Sequence, residues 1–329
     1  MTEPVSILSV GVSCPGGMGP AALEADWPTC RISQITDPAR TRKVSPIDLN
    51  AEPFNRWRLR PRLRRASPLS HHLIEAVAQT LEAHPDIDPA RVGLVGSFFI
   101  GCLVYSVKFY KGLTTDGRRF ASPILFPETV VNTPLSHVVS ELKIGGPVYS
   151  QVGDTSCWVS ALRTASLWLA NGDIDHVIVV GGEEFDPHFL DVMHAARWFQ
   201  TSPEICVSEG AGALLLGKKS PAAIAHISRI VDGFSYRNKT QAAAAAKECL
   251  AEFDPALPVA DTAANWIRPI AADALSERSI LNFNPKPRIE AFTATCAWNT
   301  IHAAIASNNP VVLPFWGLSQ QIGAIEISK

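Results

Sequence analysis

The sequence predicts a layered α/β fold, and three observations support this prediction. Short apolar runs rich in β-branched residues alternate with stretches of helical spacing along the chain. The run at residues 177–180 is β-branched throughout, as a central strand covered on both faces requires. The chain has 329 residues, of which 47% are hydrophobic, and this supplies a sizeable core for one large domain or two intimate halves.

The first part of the chain shows strand and helix signals in alternation. Leu73, Ile74 and Val77 have the spacing of one buried helix face, and Gly145-Gly146-Pro147 stops a second helix. The predicted elements are a strand at 7–12, a helix at 73–83, a strand at 92–95, a helix at 130–142 and a strand at 148–152.

The remainder of the chain continues the alternation. A helix at 159–170 is closed by Asn171-Gly172-Asp173, and the strand at 177–180 is followed by Gly181-Gly182, where backbone must pass closely. The further predicted elements are strands at 211–216 and 224–231, helices at 240–250 and 300–306, and a closing strand at 322–327.

Composition disfavours several classes of function. The formal net charge is −2, which gives no general case for nucleic acid or an anionic membrane as partner. The seven cysteines are odd in number and form no Cys-x-x-Cys pair, so we expect neither a disulfide framework nor a structural zinc site. The N-terminus lacks a basic signal-peptide region and no apolar run reaches about 18 residues, so we expect a cytoplasmic protein without a membrane span.

Five segments from Arg91 onward occur in an order that a known family shares. They are RVGLVGS, ASPILFPETVVNTPLSHVVSELKIGGPV, ALRTASLWLANGDIDHVIVVGGEE, SEGAGALLLGKK and WGLSQQIGAIEIS. In this order the segments resemble the β-ketoacyl-acyl carrier protein synthases, or ketosynthases. The resemblance covers most of residues 1–217 and the C-terminal segment, whereas the middle of the second half matches weakly.

The resemblance implies a thiolase-like, five-layered α/β/α/β/α fold built from two similar halves. We expect an N-terminal half at residues 1–217 and a shortened C-terminal half at 218–329. The family forms dimers by pairing the strand after Gly146-Pro147 with its counterpart across the dimer axis. VYSQV is therefore the predicted pairing strand.

A ketosynthase carries its acyl chain on a cysteine at a helix N-terminus, where the pKa of the thiol is lowered. In the family this helix ends at the Gly-Asp turn, and counting back without a gap from Gly172-Asp173 places the nucleophile at Thr155. A threonine hydroxyl is a far weaker nucleophile than a thiolate. Cys157 lies about 200° further around the helix, so we expect it to face elsewhere as a buried thiol. A shifted helix start would make Cys157 the fallback nucleophile.

Two family histidines, which support decarboxylation and the developing oxyanion, are also missing. The first lies in a His-Gly-Thr-x-Thr turn, and its position here falls at Ala264, followed by Asn265 and Trp266. The second follows a Lys-x-x-Gly-His pattern, which RIEAFTATCAWNT lacks, and His302 comes later as an ordinary helix residue. The family's aromatic gate turn, Gly-Phe-Gly-Gly, is replaced by GLSQ, which puts Leu318 at the gate.

The joint loss of three catalytic positions, beside retained fold signals, indicates a structural role. Polyketide chain-length factors are ketosynthase-like subunits that lack the nucleophile and pair with a true ketosynthase. The leading hypothesis is therefore a non-catalytic chain-length factor, without cofactor or metal, in a heterodimer with an active ketosynthase. This complex would elongate fatty acid, polyketide or polyene chains on an acyl carrier protein. Two alternatives stay open: an active β-ketoacyl synthase or acyltransferase that uses Cys157, and a structural homodimeric scaffold in a lipid or pigment pathway.

The resemblance also assigns residues to the acyl tunnel and the dimer interface. In the family, the helix led by Asn132 and the FPETVV segment before it lie beside the pairing strand, where the tunnel meets the interface. The same apolar side chains would serve equally well as ordinary interface core. The candidate residues are Phe126, Val130, Val131, Thr133, Pro134, Leu135 and Leu318.

An arginine run occupies residues 56–65, where RWRLRPRLRR contains six arginines in ten residues. The family places basic residues before the following helix to dock the acidic carrier protein, so Arg62, Arg64 and Arg65 are the candidate docking residues. A solvated basic surface is the alternative interpretation. Nucleic acid is disfavoured because the rest of the chain is not basic.

Overall fold

A computed structural model describes residues 4–172, 174–201, 203–262, 268–276, 278–282, 286, 288–317 and 321–329. The strands are β1 (Val5–Cys14), β2 (Gly17–Met18), β3 (Cys30–Ser33), β4 (Thr41–Ser45), β5 (Val92–Phe98), β6 (Val148–Val152), β7 (His176–Glu183), β8 (Cys206–Ser208), β9 (Gly210–Gly217), β10 (Ala225–Ser235), β11 (Val259–Ala260), β12 (Ile280–Leu281), β13 (Ile289–Glu290), β14 (Val311–Trp316) and β15 (Gln321–Ser328). The helices are α1 (Pro68–Glu82), α2 (Leu103–Thr115), α3 (Thr133–Leu142), α4 (Cys157–Asn171), α5 (Pro187–Ala195), α6 (Trp198–Thr201), α7 (Lys239–Ala251), α8 (Arg268–Leu275) and α9 (Thr293–Ala306).

The main sheet consists of two half-sheets with the same topology. The strand order is β6-β5-β7-β9-β1 in the first half and β12-β11-β14-β15-β10 in the second, and β1 joins β10 antiparallel. In the first half, the β1·β9 and β7·β9 pairs are antiparallel, whereas β5·β7 and β5·β6 are parallel. The second half repeats this pattern of two antiparallel and two parallel pairs in the same positions. The repeat confirms the two similar halves, and the two-residue strands β11 and β12 make the second half the shorter one.

Helices form three layers around the two half-sheets. α1 and α3 pack on the outer face of the first half-sheet, and α7, with α8 beside it, packs on the second. α4 and α9 contact strands of both halves and therefore lie between them. Trp158 of α4 and Ile301 of α9 are buried in one shared core. The order helix, sheet, helix, sheet, helix confirms the predicted five-layered fold.

Local sequence explains how α1 and β7 frame the first half. Ser67 caps α1 by accepting a hydrogen bond from the Ser70 amide, and Pro68 fits the first turn because its missing N–H needs no partner there. β7 is buried along nearly its whole length between helices on both faces, as its β-branched sequence predicts. The ends of these elements converge on the candidate site.

Several elements differ from the sequence prediction. α9 begins at Thr293, earlier than the predicted helix at 300–306, because eleven of its 14 residues are buried and no amphipathic stripe marks its start. α3 begins at Thr133, since Pro134 favours a first helical turn, and Val130 lies in the preceding turn. The sequence also did not predict α2, α5, β14 or the small sheet β13-β8-β4-β3.

Within the residues that the structure describes, no helix is both long and apolar enough to cross a membrane.

Candidate active site at the start of helix α4

The turn between β6 and α4 holds the position where the resemblance expects a nucleophile. The helix begins at Cys157, so the expectation that it opens at Thr155 is wrong. Residues 153–156 form the turn, in which the Asp154 carboxylate accepts a hydrogen bond from the Thr155 amide at 2.8 Å. The Cys157 amide donates to the Asp154 carbonyl, also at 2.8 Å. This local hydrogen bonding places the helix start two residues later than the ungapped count.

The Thr155 side chain forms a hydrogen bond with the backbone of the second half. Its Oγ1 donates to the Trp316 carbonyl at 2.9 Å, and the residue is buried. The Thr155 carbonyl accepts from the thiol of Cys296 at 3.6 Å, which links the turn to α9. Thr155 therefore ties the two halves together at this point.

Cys157 combines a helix N-terminus with deep burial. Its Sγ lies 2.9 Å from Ser97 Oγ and 3.9 Å from the Phe98 carbonyl. Burial raises the pKa of the thiol from 9.0 to about 12, although the hydrogen bond to Ser97 opposes the rise. Cys157 is thus a protonated thiol at neutral pH, at the inner wall of an open cavity of about 550 Å³ beside β6.

Two consecutive glutamates at the end of β7 anchor the loops around this turn. Glu183 accepts hydrogen bonds from the Phe99 and Ile100 amides and from Thr293 Oγ1, at 2.6, 3.0 and 2.7 Å. Glu184 accepts from Leu69 N at 3.1 Å and Val104 N at 2.7 Å, at the starts of α1 and α2. Burial raises the pKa of Glu183 to about 7 and of Glu184 to about 8.

The stretch that resembles the second histidine's segment forms the start of α9. Phe292 lies immediately before the helix with φ +50°, and its amide donates to Glu290 Oε1 at 2.6 Å. Its ring lies 4.9 Å from that of Phe99, 5.3 Å from that of Phe189 and 6.2 Å from that of Trp198, measured between centroids. An aromatic cluster therefore fills the space beside the start of α9. Within the described residues, no group of three or more His, Cys, Asp or Glu side chains is placed to hold a metal ion.

Two predicted site residues, Ala264 and Leu318, lie outside the described residues. The neighbouring Asn265 and Trp266 lie outside them as well. His302 lies within α9, and its Nε2 is 2.7 Å from the Glu24 carboxylate, so it has a role in packing α9 against the N-terminal segment.

The candidate tunnel residues divide into two groups. Phe126 is 57% exposed, and Val130 and Val131 are both 39% exposed. Pro134 and Leu135 are buried, and Leu135 belongs to the core between α1, α3 and the first half-sheet. Thr133 is half-buried and donates from Oγ1 to the Pro127 carbonyl at 2.6 Å. The tunnel role stays a prediction for all of these residues.

The neighbouring edge of the sheet also exposes apolar groups. Among the described strands β6 pairs with β5 alone, and Val148, Tyr149 and Val152 on it are exposed. Unpaired edge groups and exposed apolar side chains together make this strand a natural surface for pairing.

The arginine run is an irregular arm built around two buried anchors. Trp57 donates from Nε1 to Glu75 at 2.7 Å, and the guanidinium groups of Arg56 and Arg60 lie 4.5 and 4.6 Å from its ring centroid. Leu63 is the second buried anchor. The exposed candidates that this arm presents are Arg62, Arg64 and Arg65.

Sequence reasoning missed several residues of the site. Ser97 contacts the Cys157 thiol, Glu290 and Phe292 shape the start of α9, and Cys296 contacts the Thr155 carbonyl. The one signal that the sequence offers is Gly96 beside Ser97, since a glycine within a strand often marks a close approach of another part of the chain, and neither residue was among the predicted site residues.

Comparisons with known proteins agree with this architecture. No protein-family model matches the chain, and a search of curated proteins finds no match. The structure of the ishigamide ketosynthase/chain length factor is similar over 98% of this chain and 98% of that chain, with TM-score 0.80 and 15% identity. A structure described as a type II PKS acyl-carrier protein in complex with its ketosynthase bound to the hexaketide matches 100% of this chain and 99% of that chain, with TM-score 0.75 and 18% identity.

A β-ketoacyl synthase from Burkholderia phymatum STM815 is similar over 99% of this chain and 100% of that chain, with TM-score 0.76 and 16% identity. Likeness at this level of identity concerns the fold. The chain has the thiolase-like fold that ketosynthases and chain-length factors share.

Proposed function

We propose that the chain is a non-catalytic, ketosynthase-like subunit of the chain-length-factor type. It pairs with a catalytically complete ketosynthase in carrier-protein-dependent elongation of acyl, polyketide or polyene chains. Similar structures include a ketosynthase/chain length factor and a ketosynthase in complex with an acyl-carrier protein, and these support the assignment.

The proposal rests on the chemical properties of Cys157 and Thr155 at the start of α4. Acyl transfer to a cysteine requires a thiolate, and the pKa of Cys157 is raised to about 12 by burial. Thr155, at the position that the resemblance gives to the nucleophile, donates its hydroxyl to the Trp316 carbonyl. Neither side chain has the properties of an activated nucleophile, whereas the five-layered fold around them is retained.

The exposed edge of the sheet supports pairing with a second subunit. β6 offers a row of unpaired backbone groups flanked by Val148, Tyr149 and Val152. Such an edge is an aggregation hazard unless another strand covers it. Phe126 and Val131 extend the apolar surface on the segment before α3. We assign this combined surface to the ketosynthase partner.

The arginine arm supports contact with an acidic carrier protein. Arg62, Arg64 and Arg65 are exposed, and the buried anchors Trp57 and Leu63 hold the arm in place. Exposed cations of this kind steer an acidic partner and set the rate of encounter. We expect docking through the arm to weaken as salt screens the charges.

The test of the proposed function is acylation of the isolated chain. Incubation with an acyl-carrier protein loaded with substrate, followed by intact-protein mass measurement, should give no stoichiometric acyl adduct. The same incubation with the chain in complex with a co-expressed ketosynthase should acylate the ketosynthase only. A stoichiometric adduct on the wild-type chain that is absent from a Cys157→Ala variant would contradict the proposal. It would show instead that the chain is an active acyltransferase that uses Cys157.

A further inference from the structure

Strand β10 has one long edge that its neighbours leave uncovered. β10 has 11 residues, and β15 pairs with it from His226 to Ser235. On the other side, β1 pairs with Ala225–Ile227. This pairing stops at Pro4, which has no N–H to donate to a neighbouring strand. Among the described strands, none pairs with residues 228–235 on the side of β1.

A groove of about 680 Å³ follows this uncovered edge. On one face of β10, toward α4, the Asp232 carboxylate accepts a hydrogen bond from Ser160 Oγ at 3.1 Å and forms an ion pair with Arg163. On the other face, toward α7, the Arg229 guanidinium lies 5.7 Å from the centroid of the Phe253 ring. Side chains from both faces line the groove because it lies along the edge of the strand. An extended segment in this groove therefore reaches both faces, as a strand added to β10 requires.

The charges that line the groove do not balance. Asp232 is neutralised by the arginine of α4, and Arg229 is paired with Glu252 at 2.7 Å. Glu326 lies directly opposite Arg229 in the β10·β15 pair, and its carboxylate accepts a hydrogen bond from Ser228 Oγ at 2.8 Å. Among the described residues, no basic side chain lies within ion-pair distance of Glu326. The groove therefore offers one carboxylate to a cation from another chain.

Two apolar side chains continue the α7 side of the groove beyond this carboxylate. Val231 and Phe234 are half-buried, pack against the core beneath α7 and also line the groove. Val231 is two residues from Arg229, so both side chains lie on the same face of the strand. Along this face the groove thus presents first an anion and then apolar surface.

We propose that this groove binds an extended segment of a partner protein, which pairs with residues 228–232 as an added strand. The segment carries a lysine or arginine for Glu326 and apolar side chains at alternate positions for Val231 and Phe234. In strand addition, backbone hydrogen bonds supply affinity and alternate side chains supply specificity. The proposal does not depend on the proposed function, which assigns the edge of β6 to the ketosynthase partner.

The test is a titration of the full chain into fluorescent peptides, followed by anisotropy. The peptides are Lys-Thr-Val-Thr-Val and its reverse, Val-Thr-Val-Thr-Lys, because a strand adds in either direction. We expect one order to bind more tightly. In that peptide, methylating the backbone nitrogens of one alternate set of residues should abolish binding. Methylating the other set, whose N–H groups face solvent, should leave the Kd unchanged. Equal effects of the two sets would overturn strand addition.

A variant of the chain tests the charge. Glu326→Gln keeps an acceptor for Ser228 and removes the anion, so it should raise the Kd about tenfold at low salt through the loss of one charge-assisted hydrogen bond. Glu204→Gln, at an exposed position before β8, is the matched control and should leave the Kd unchanged. Equal Kd values for the two variants would overturn the role of Glu326. The methylated peptides are tested on the wild type, so they decide the outcome even if Glu326→Gln disturbs folding.

Two further outcomes separate other occupants. A peptide with glutamate in place of lysine should not bind, and equal affinity for it would overturn the assignment to a basic segment. Sedimentation of the chain alone should show no self-association that Glu326→Gln abolishes. Such an effect would show that a second copy of this chain occupies the groove, and it would overturn the assignment to another protein.

Discussion

At the scale of single residues, burial decides the chemistry of the candidate site. Cys157 has the helix N-terminus that lowers the pKa of a thiol, an effect worth about 0.3–1 kcal/mol at exposed positions. The raised pKa of about 12 corresponds to roughly 4 kcal/mol against the thiolate. The effect of desolvation on the pKa of Cys157 is therefore larger than that of the helix N-terminus. A cysteine at the start of a helix is not a nucleophile by virtue of that position alone.

Glu184 should make the stability of the protein depend on pH. Burial raises its pKa from 4.5 to about 8, so the folded state holds a proton that the unfolded state releases. The contribution to the free energy of unfolding is fully present below pH 4.5 and is lost as pH rises through about 8. We expect denaturant unfolding to show this decline in the wild type and a shallower one in Glu184→Gln, which mimics the protonated acid.

Glu75→Gln is the control for this measurement, because Glu75 lies outside the loop anchors and binds Trp57 instead. Parallel pH profiles for the wild type and Glu184→Gln would contradict the assigned role of Glu184.

At the scale of elements, the segment before α3 leaves apolar side chains exposed that a neighbouring subunit could cover. α2 has no buried residue, and Phe126, Val130 and Val131 are exposed beyond it. The ordered start of α3 holds this segment against the body of the protein through Thr133 and Leu135. A partner subunit that covers the segment would bury the apolar surface that the isolated chain leaves in water.

Enlarging Thr133 tests whether this segment borders an acyl tunnel. Thr133→Phe removes a hydrogen bond to Pro127, at a cost of about 1 kcal/mol, and adds an aromatic ring. If the ring projects into open tunnel space, the complex with the ketosynthase should stay assembled and release shorter products, measured by mass spectrometry. Overpacking a filled interface would instead cost about 1–3 kcal/mol and weaken assembly.

Ser136→Phe is the matched control, since Ser136 is exposed on the same helix, and its products should keep their length. Unchanged product lengths in an intact Thr133→Phe complex would show that Thr133 does not border the tunnel.

At the scale of the whole molecule, sequence periodicity predicted the five strands of the first half-sheet, helices α1, α3 and α4, and the layered architecture. β7 was recognised because a β-branched run bounded by glycine marks a buried strand, and β6 because Gly145-Gly146-Pro147 marks the break before it. β14 was missed because Pro314 lies within it, and proline argues against a central strand. The site was predicted less well, because the start of α4 depends on hydrogen bonds to Asp154 and the raised pKa of Cys157 depends on its burial in the fold, which the hydrogen bond to Ser97 opposes. Neither contact leaves a periodic signal in the sequence.

The helical layer shared by the two halves has a consequence for how the chain unfolds. α4 comes from the first half and α9 from the second, and each packs on strands of both. Separating the halves would expose the apolar faces of both helices at once. Unfolding of one half would therefore remove packing contacts that stabilise the other half. We expect a single cooperative transition in calorimetry, with equal calorimetric and van't Hoff enthalpies. Residues 1–217 expressed alone should aggregate or stay molten. Ile301→Ala in the full chain should lower the midpoint temperature of the transition, which should remain a single transition. Two resolved transitions would show instead that each half of this duplicated fold keeps an independent stability.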